Sequence, residues 1–293
     1  MAIDSGSNAT KYRVWEIDAD GEARLIAERR FAVRIGEGVF TSGKIAPDSI
    51  AAAVEVFKTI CEDKILLGVR AARAVTTSAA REASNRGELV EAIRRAAGIE
   101  LRILPDADEA RLIALGILAG KADDAPRAIV DVGGGSTEII LARGEEVVRA
   151  ISTRIGAVRM AEIFFEAIPP APESVARLDQ HVRILLGKLE LPVDGGTEML
   201  GCGGTITALN AMVGDGVLEL AQVDSVIGRL GGMNVEQVCA AYRLDEARAQ
   251  IILAGALVLR GVMTRLGQGR VRLVRGGVSD GLMREFVMKS LNR

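Results

Sequence analysis

Residues 129–140 read Ile-Val-Asp-Val-Gly-Gly-Gly-Ser-Thr-Glu-Ile-Ile and carry the strongest structural signal in the chain. An apolar run ends on Asp131, breaks into three glycines and Ser136, and resumes as a β-like segment that carries Glu138. Glycines have no Cβ and tolerate positive φ, so consecutive N–H groups in such a turn can converge on an anion. The pattern predicts a phosphate-binding turn between two strands, with Asp131 placed to hold a divalent cation. A flexible hairpin turn is the alternative interpretation.

A second copy of this pattern opens the chain. Residues 2–8 read Ala-Ile-Asp-Ser-Gly-Ser-Asn, and another β-like segment begins at Tyr12. Chance explains one such turn easily, but it explains two turns at matching positions poorly. The sequence therefore predicts two related lobes, each with a phosphate loop, and a cleft to which each lobe contributes one loop.

The composition is that of a folded globular protein. The chain has 293 residues, of which 49% are hydrophobic and 26% charged, enough to fill two lobes. Lys and Arg number 37 against 39 Asp and Glu, and aromatic residues make up 3%. There is thus neither a basic surplus to recruit nucleic acid or an anionic membrane nor a set of rings for base stacking. The longest apolar run, residues 251–263, is interrupted by Arg260 and is too short to span a bilayer.

The cysteines and the single histidine limit the chemistry. Cys61, Cys202 and Cys239 form neither a C-x-x-C pair nor a disulfide pattern, and no signal-peptide pattern precedes the first strand. These features predict a cytoplasmic protein. His181 lies in a charged helical stretch and is expected to be solvated. Because one histidine cannot build a His-rich metal site, we expect acid–base chemistry to rest on carboxylates.

The order of predicted elements repeats between the halves. Each half is predicted to begin with three strands and to continue with helices and strands, which indicates an α/β fold with helix-covered sheets. We place the first lobe at residues 1–121 and the second at 122–293, with the C-terminal helix (about 281–293) as a candidate to pack back on the first lobe. Residues 216–245 are interpreted as a looser, glycine-containing stretch, and 245–266 as one helix.

Two groups of charged residues are candidates for catalysis. Asp106, Asp108 and Glu109 follow Pro105 at a helix start, where acidic residues ordinarily complement the helix dipole. Arg81 follows a predicted strand and is either a solvated arginine or a phosphate clamp. The residues alone leave both alternatives open.

Three further features have both a structural and a functional interpretation. Lys11 faces either solvent or a bound anion, and Glu138 is either an outward strand residue or part of a site. Residues 201–205, Gly-Cys-Gly-Gly-Thr, follow a predicted strand and open a helix. The free N–H groups of such a helix start can bind an anion, although a tight turn is the simpler interpretation.

Taken in order, seven motifs resemble the exopolyphosphatase and guanosine pentaphosphate phosphohydrolase family. They are AIDSGSN from residue 2, TSAAREASN from 77, DEARLIALG from 108, DVGGGSTEI from 131, GAVRMAEIF from 156, GCGGTITALNA from 201 and GGVSDGLMRE from 276. The resemblance covers essentially the whole chain. It implies the short, two-domain form of this family, with two actin-like (ASKHA, ribonuclease-H-like) lobes and an active site in the cleft between them.

The resemblance implies roles for the candidate residues. Glu109 is the expected general base, Arg81 an expected ligand of phosphate oxygens, and Asp131 and Glu138 the expected metal ligands. Expected phosphate-binding residues are Asp4, Ser7, Asn8 and Lys11 from the first lobe, and Gly133, Gly134, Gly135 and Ser136 from the second, together with the helix start at Gly203, Gly204 and Thr205.

Three positions depart from the family pattern. Lys11 stands where the family usually has arginine, so a compact ammonium group replaces a planar guanidinium that could bind two oxygens at once. Asp108 replaces a glutamate, and Phe286 stands where a glycine usually follows Arg-Glu. These departures bear on substrate geometry more than on reaction type.

The expected activity is Mg²⁺-dependent hydrolysis of a terminal phosphoanhydride, with other divalent cations left open. The substrate is inorganic polyphosphate or guanosine pentaphosphate, and a homodimer is left open. A small-molecule kinase of the same superfamily and an actin-like nucleotide switch are the alternatives. Few aromatic residues and many second-lobe arginines favour polyphosphate, although solvated surface is the ordinary interpretation of the arginines. They are Arg149, Arg154, Arg159, Arg260, Arg265, Arg270, Arg272 and Arg275.

Overall fold

The computed structural model of the protein describes residues 1–121, 123–193 and 196–291. It divides into two compact units, residues 1–119 with 276–293 and residues 120–275. Residue 122, at the predicted boundary, lies outside the described residues, as do the last two residues of the predicted C-terminal helix.

Unit 1 begins with a five-stranded sheet and its covering helices. Its elements are β1 (Ala2–Ser5), β2 (Thr10–Ile17), β3 (Ala23–Phe31), α1 (Val39–Ser42), α2 (Pro47–Leu66), β4 (Arg73–Thr76), α3 (Ser78–Glu82), α4 (Arg86–Ala97), β5 (Leu101–Ile103) and α5 (Asp106–Leu118). The strand order is β3-β2-β1-β4-β5. The β1–β2 and β2–β3 pairs are antiparallel, whereas β1–β4 and β4–β5 are parallel.

Unit 2 repeats this topology. Its elements are β6 (Pro126–Val132), β7 (Thr137–Arg143), β8 (Glu146–Thr153), α6 (Ala157–Phe164), α7 (Pro172–Gly187), β9 (Glu198–Cys202), α8 (Gly203–Val213), β10 (Val217–Glu219), α9 (Leu220–Leu230), α10 (Val235–Tyr242), α11 (Glu246–Ala249), α12 (Ile252–Arg265) and β11 (Arg270–Leu273). The strand order is β10-β11-β9-β6-β7-β8. Without the edge strand β10, this is the unit 1 order, so the predicted internal duplication is confirmed.

The first strand of each unit lies inside its sheet, which explains its composition. All four residues of β1 are buried, because β1 pairs with strands on both sides and helices cover the sheet. Ile3, Phe57 and Ile93 are completely buried in the core formed by β1, α2 and α4. In unit 2, Ile129 and Val130 of β6 are likewise completely buried. A helix near the C terminus, α13 (Val278–Leu291), packs against α5 and belongs to unit 1.

Two predictions about the second half were wrong. The stretch predicted to be looser contains β10, α9 and α10, and two capping boxes start these helices, at Glu219 with Gln222 and at Asn234 with Gln237. The predicted single helix 245–266 is broken into α11 and α12. Asp245 caps α11 by accepting a hydrogen bond from the Arg248 backbone N–H at 2.8 Å. Among the described residues, no helix is both long and apolar enough to cross a membrane.

Candidate active site

The two predicted phosphate loops are equivalent β-hairpins. One connects β1 to β2, and the other connects β6 to β7. Gly6 N–H donates to the Ala9 carbonyl at 3.0 Å, and Gly133 N–H donates to the Ser136 carbonyl at 3.0 Å. The residue paired with the strand-end aspartate comes seven positions later in both hairpins: Lys11 faces Asp4, and Glu138 faces Asp131.

The unit 1 hairpin contains a charge pair and an unsatisfied amide. Lys11 Nζ lies 3.1 Å from Asp4 Oδ2, and the Ser7 and Ser78 hydroxyls lie 3.1 Å apart. Asn8 is 6% exposed, and neither end of its amide has a hydrogen-bond partner in the part of the chain that the structure describes. Buried polar groups are almost always satisfied, so this amide marks a place for a ligand with both donors and acceptors or a bound water.

A short repeat that sequence reasoning missed supports both loops. Arg-Ile-Gly occurs at residues 34–36, after β3, and at residues 154–156, after β8. A Cβ on Gly36 would lie 2.6 Å from Ser7 Cβ, and a Cβ on Gly156 would lie 2.5 Å from the carbonyl carbon of Gly134. Each glycine therefore lets the chain after the third strand touch the phosphate loop. The repeated tripeptide was the available signal.

Two carboxylates share the equivalent place in unit 2. Asp131 is partly exposed and Glu138 is buried, and the Ser152 hydroxyl donates to Glu138 Oε1 at 2.8 Å. Like charges on directly opposite strand residues destabilise a sheet. Mg²⁺ is typically held by one or two carboxylates with waters and substrate phosphates, so this pair fits such an ion. Among the described residues, no group of three or more metal-binding side chains occurs. Such a group is not required when waters and substrate phosphates supply the other ligands.

The start of α8 lies against the same carboxylate. Asp131 pairs with Cys202 in the sheet, and Gly203 has a φ of +80°. A Cβ on Gly203 would collide with Asp131 Oδ1, and one on Gly204 would collide with the Arg248 guanidinium. The structure thus brings Gly203 to the predicted metal site and places Arg248, which sequence reasoning missed, against Gly204.

Thr205 differs from the two glycines beside it. Its side chain is buried, and a Cβ added to Gly255 of α12 would lie 2.5 Å from Thr205 Cγ2. Its hydroxyl has no hydrogen-bond partner within the described chain. Thr205, on α8, thus packs against α12. Its predicted contact with phosphate stays a prediction.

Arg81 and Glu109 meet in unit 1. Arg81 lies on α3, a short helix that the sequence did not predict, and Glu109 lies in the first turn of α5. Arg81 Nη1 is 3.0 Å from Glu109 Oε2 and donates to the Leu104 carbonyl at 2.7 Å, while its other terminal nitrogen contacts Asp106. Glu109 is buried and paired with Arg81, whereas an acidic residue that only complements a helix dipole is ordinarily exposed. Arg81 holds the Glu109 carboxylate in place.

Asp280 joins the unit 1 set from the distant end of the chain. Its Oδ2 lies 2.7 Å from Arg13 Nη1. Burial raises the pKa of Asp280 above its usual value, although the positive charges of Arg13 and Lys11 act to lower it. Since Lys11 also pairs with Asp4, α13 is connected electrostatically to the first hairpin. The late GGVSDGLMRE motif contains this residue, although no role was predicted for it.

His181 takes no part in these groups. It is half-buried and lies against Phe164, with ring centroids 5.1 Å apart. The expected solvated histidine is thus only partly exposed, because the α6–α7 packing supplies an aromatic neighbour. The three cysteines are free thiols.

Comparison with known proteins identifies the family. The model of the Ppx/GppA phosphatase family matches residues 14–290. The chain belongs to this family. It is 30% identical to exopolyphosphatase 2 of Mycobacterium tuberculosis, over 96% of this chain and 96% of that protein. The predicted family is confirmed.

Solved structures of Ppx/GppA proteins have the same fold. The crystal structure of the Aquifex aeolicus family member is 28% identical and superposes with a TM-score of 0.79, covering 99% of this chain and 97% of that one. An exopolyphosphatase from Cytophaga hutchinsonii is 21% identical with a TM-score of 0.87, covering 98% and 97%. The predicted α/β fold with two related lobes is confirmed.

Proposed function

We propose that this Ppx/GppA protein hydrolyses a terminal phosphoanhydride and releases orthophosphate, with inorganic polyphosphate preferred over guanosine pentaphosphate. The observation that supports this proposal most is the pair of equivalent glycine hairpins, one with Asp4 and Lys11 and the other with two carboxylates. The ion pair between Arg81 and Glu109 adds to it. Family membership favours hydrolysis over the kinase and the nucleotide switch. That both units act on one substrate is part of the proposal.

Glu109 is the proposed general base. In this role its carboxylate accepts a proton from the attacking water while the water's oxygen forms a bond to the terminal phosphorus, and the bridging anhydride oxygen leaves. Arg81 is a positioning residue for this step, because its contacts with Glu109 and the Leu104 carbonyl fix the carboxylate. Its remaining N–H groups suit the phosphate oxygens that the resemblance assigns to it.

The two hairpins have different proposed tasks. In unit 1, Lys11 and the unsatisfied amide of Asn8 bind phosphate oxygens, helped by the Ser7 hydroxyl. In unit 2, the backbone N–H groups of the glycine turn bind phosphate, while Asp131 and Glu138 hold Mg²⁺. Bound there, the ion would neutralise charge on the transferring phosphoryl group. Glycine at position 203 is needed for this arrangement, because a Cβ there would collide with the Asp131 carboxylate.

The preference for polyphosphate rests mainly on the relative named exopolyphosphatase 2 and on the scarcity of aromatic residues to stack on a purine. The second-lobe arginines support this preference less than their number suggests. Arg260 and Arg272 form salt bridges with acidic residues, Arg265 donates to backbone carbonyls, and Arg159 is buried against the Gly135 carbonyl. Arg154, Arg270 and Arg275 are exposed.

The test is phosphate release from both substrates, side by side, by wild-type protein and by Glu109→Gln. The amide keeps the shape of the side chain but cannot accept the proton, so we expect turnover to fall by roughly 10²–10⁴-fold with substrate binding retained. Asp108→Asn is the matched control, because Asp108 is the neighbouring residue and its ion pair with Arg102, at 2.6 Å, is partly exposed and contributes little. Near-normal turnover in Glu109→Gln would show that another group activates water. Faster hydrolysis of guanosine pentaphosphate would reverse the substrate preference.

A further inference from the structure

Unit 1 contains a cavity at the end of the sheet away from the first hairpin. It has a volume of about 540 Å³ and lies where β1 and β4 begin and where β2 and α2 end. The hairpin that carries Gly6 and Ser7 follows the other end of β1. A volume of this size is typical of pockets that hold small organic molecules. No step of the proposed hydrolysis uses this cavity.

The cavity wall is apolar and aromatic. Trp15 of β2 is half-buried in it, and Leu282, Met283 and Phe286 of α13 form another side. Ile26, which also lines the cavity, is 51% exposed and adds to the apolar surface. Such a wall suits a hydrocarbon chain or ring.

Positive charge at one side of the cavity adds a second requirement. Arg70 is exposed, and no ion pair involving it occurs in the described part of the chain. Arg73 Nη1 lies 2.6 Å from Glu285 Oε2, but Arg111 at 2.7 Å and Lys289 at 3.5 Å share that carboxylate. Three cations around one anion leave a surplus of positive charge around Arg73, which lines the same cavity as Arg70. An acidic group on the ligand would complement it.

We propose that this cavity binds a small apolar carboxylic acid, with its hydrocarbon part against Trp15 and α13 and its carboxylate towards Arg70 and Arg73. The acidic residue in the lining, Glu16, is paired with Arg24 at 2.6 Å and therefore opposes the ligand charge only weakly. The aromatic and aliphatic lining selects for the apolar part, and the arginines select for the acid.

The ligand acts as an effector of hydrolysis. One helix, α13, contributes both Asp280, which contacts Arg13 near the Asp4–Lys11 pair, and Leu282 and Phe286, which line the cavity. A ligand that shifts α13 therefore changes the contacts of Asp280. This consequence rests on the proposed function, whereas the binding does not.

Trp15 makes the binding directly measurable, because it is the only tryptophan in the chain. Decanoate is titrated below its micelle concentration while Trp15 fluorescence is recorded, with calorimetry as a second measurement. We expect a saturable change, and a weaker one with decan-1-ol, which lacks the charge. Arg70→Gln should weaken decanoate binding by up to about five-fold, the effect of one exposed charge pair. Arg95→Gln, an exposed arginine of α4 outside the cavity, is the matched control and should bind normally.

A second variant fills the space. Ala72 lines the cavity and is exposed, so Ala72→Phe should abolish the saturable change without burying a new group in the core. Absence of saturable binding to wild-type protein, or equal binding by wild type, Arg70→Gln and Ala72→Phe, would overturn the proposal. So would a concentration-dependent dimer that Ala72→Phe disrupts, with no decanoate binding, since the cavity would then be a protein contact.

Phosphate release is measured in parallel with and without decanoate. We expect a change in kcat, because the cavity lies away from the phosphate loop. Purely competitive inhibition would contradict the effector role. If the protein releases no phosphate from either substrate, the proposed function fails while the fluorescence result still decides the binding.

Discussion

The hairpin of unit 1 and the hairpin of unit 2 have the same backbone plan and opposite electrostatics. Both place an aspartate at the end of a buried strand, close the turn with the same hydrogen bond, and rest on a glycine that follows the third strand. In unit 1 the residue opposite the aspartate is Lys11, and in unit 2 it is Glu138. The opposite charges of Lys11 and Asp4 lie 3.1 Å apart and neutralise each other, whereas the second pair consists of two carboxylates. One side chain thus gives the two hairpins different local charge, and the proposed cation site of unit 2 depends on this difference.

Changing Glu138 should have the largest effect among variants of the hairpins. Glu138→Gln keeps the side-chain shape and removes one negative charge beside Asp131. We expect activity at a fixed Mg²⁺ concentration to fall roughly 100-fold, because loss of even a supporting group costs 10–100-fold in metal affinity. The equivalent change in unit 1, Lys11→Gln, should raise KM and leave the Mg²⁺ requirement unchanged. Identical Mg²⁺ titrations for Glu138→Gln and wild type would mean that the two hairpins do not differ in this way.

Alanine at the supporting glycines should reduce stability in both units. A Cβ on Gly156 meets backbone atoms of Gly134 and Gly135, and a Cβ on Gly36 meets Ser7. Because the three nearest contacts at Gly156 lie at no more than 2.5 Å and those at Gly36 at 2.6–3.1 Å, we expect Gly156→Ala to be the more harmful, each change costing about 1–3 kcal/mol. Urea unfolding midpoints measure this. Gly87→Ala in α4, where a Cβ meets nothing within 4 Å, is the control and should not destabilise. Unchanged midpoints in both loop variants would show that the loops relax freely.

A smaller effect concerns pH, and its sign differs between the units. The folded pKa of Asp280 is raised by burial, so its contribution to stability is full below its unfolded pKa of about 3.9 and is lost as pH rises through the folded value. In unit 2, Arg127 lowers the pKa of Asp123 to about 2, so that contribution is present above about 3.9 and is lost as pH falls through about 2.

Melting temperature against pH distinguishes the two carboxylates. Asp280→Asn should remove part of the stability loss seen as pH rises from about 4, and Asp123→Asn should flatten the acid limb below about 4. A variant whose pH profile matches the wild type over its own window would show that the corresponding carboxylate does not titrate differently on folding.

Much of this comparison was accessible from sequence, because it depends on local patterns. Strand, aspartate and glycine turn are contiguous at residues 2–8 and 129–140, and the structure places both as hairpins. The contacts that complete each loop are not local. Arg81 meets Glu109 across 28 residues, and Asp280 meets Arg13 across 267. No periodicity signals such contacts.

Other omissions had signals that were too weak to use. The Arg-Ile-Gly repeat gains meaning only when each glycine is seen against its loop, since a tripeptide recurs easily by chance. Glycines at 214, 216, 231 and 232 concealed β10, α9 and α10 by interrupting the hydrophobic periodicity. These glycines lie between the elements, where positive φ at 214 and 216 ends one element and starts the next.

The central claim is that the unit 2 hairpin holds a divalent cation and the unit 1 hairpin does not. Thermal melting with increasing Mg²⁺ tests it without relying on activity, because a ligand of the folded state raises the melting temperature. We predict that Mg²⁺ stabilises the wild-type protein and Lys11→Gln alike, and that the shift is lost in Asp131→Asn and in Glu138→Gln. A wild-type protein that Mg²⁺ does not stabilise, or an undiminished shift in both carboxylate variants, would contradict the account.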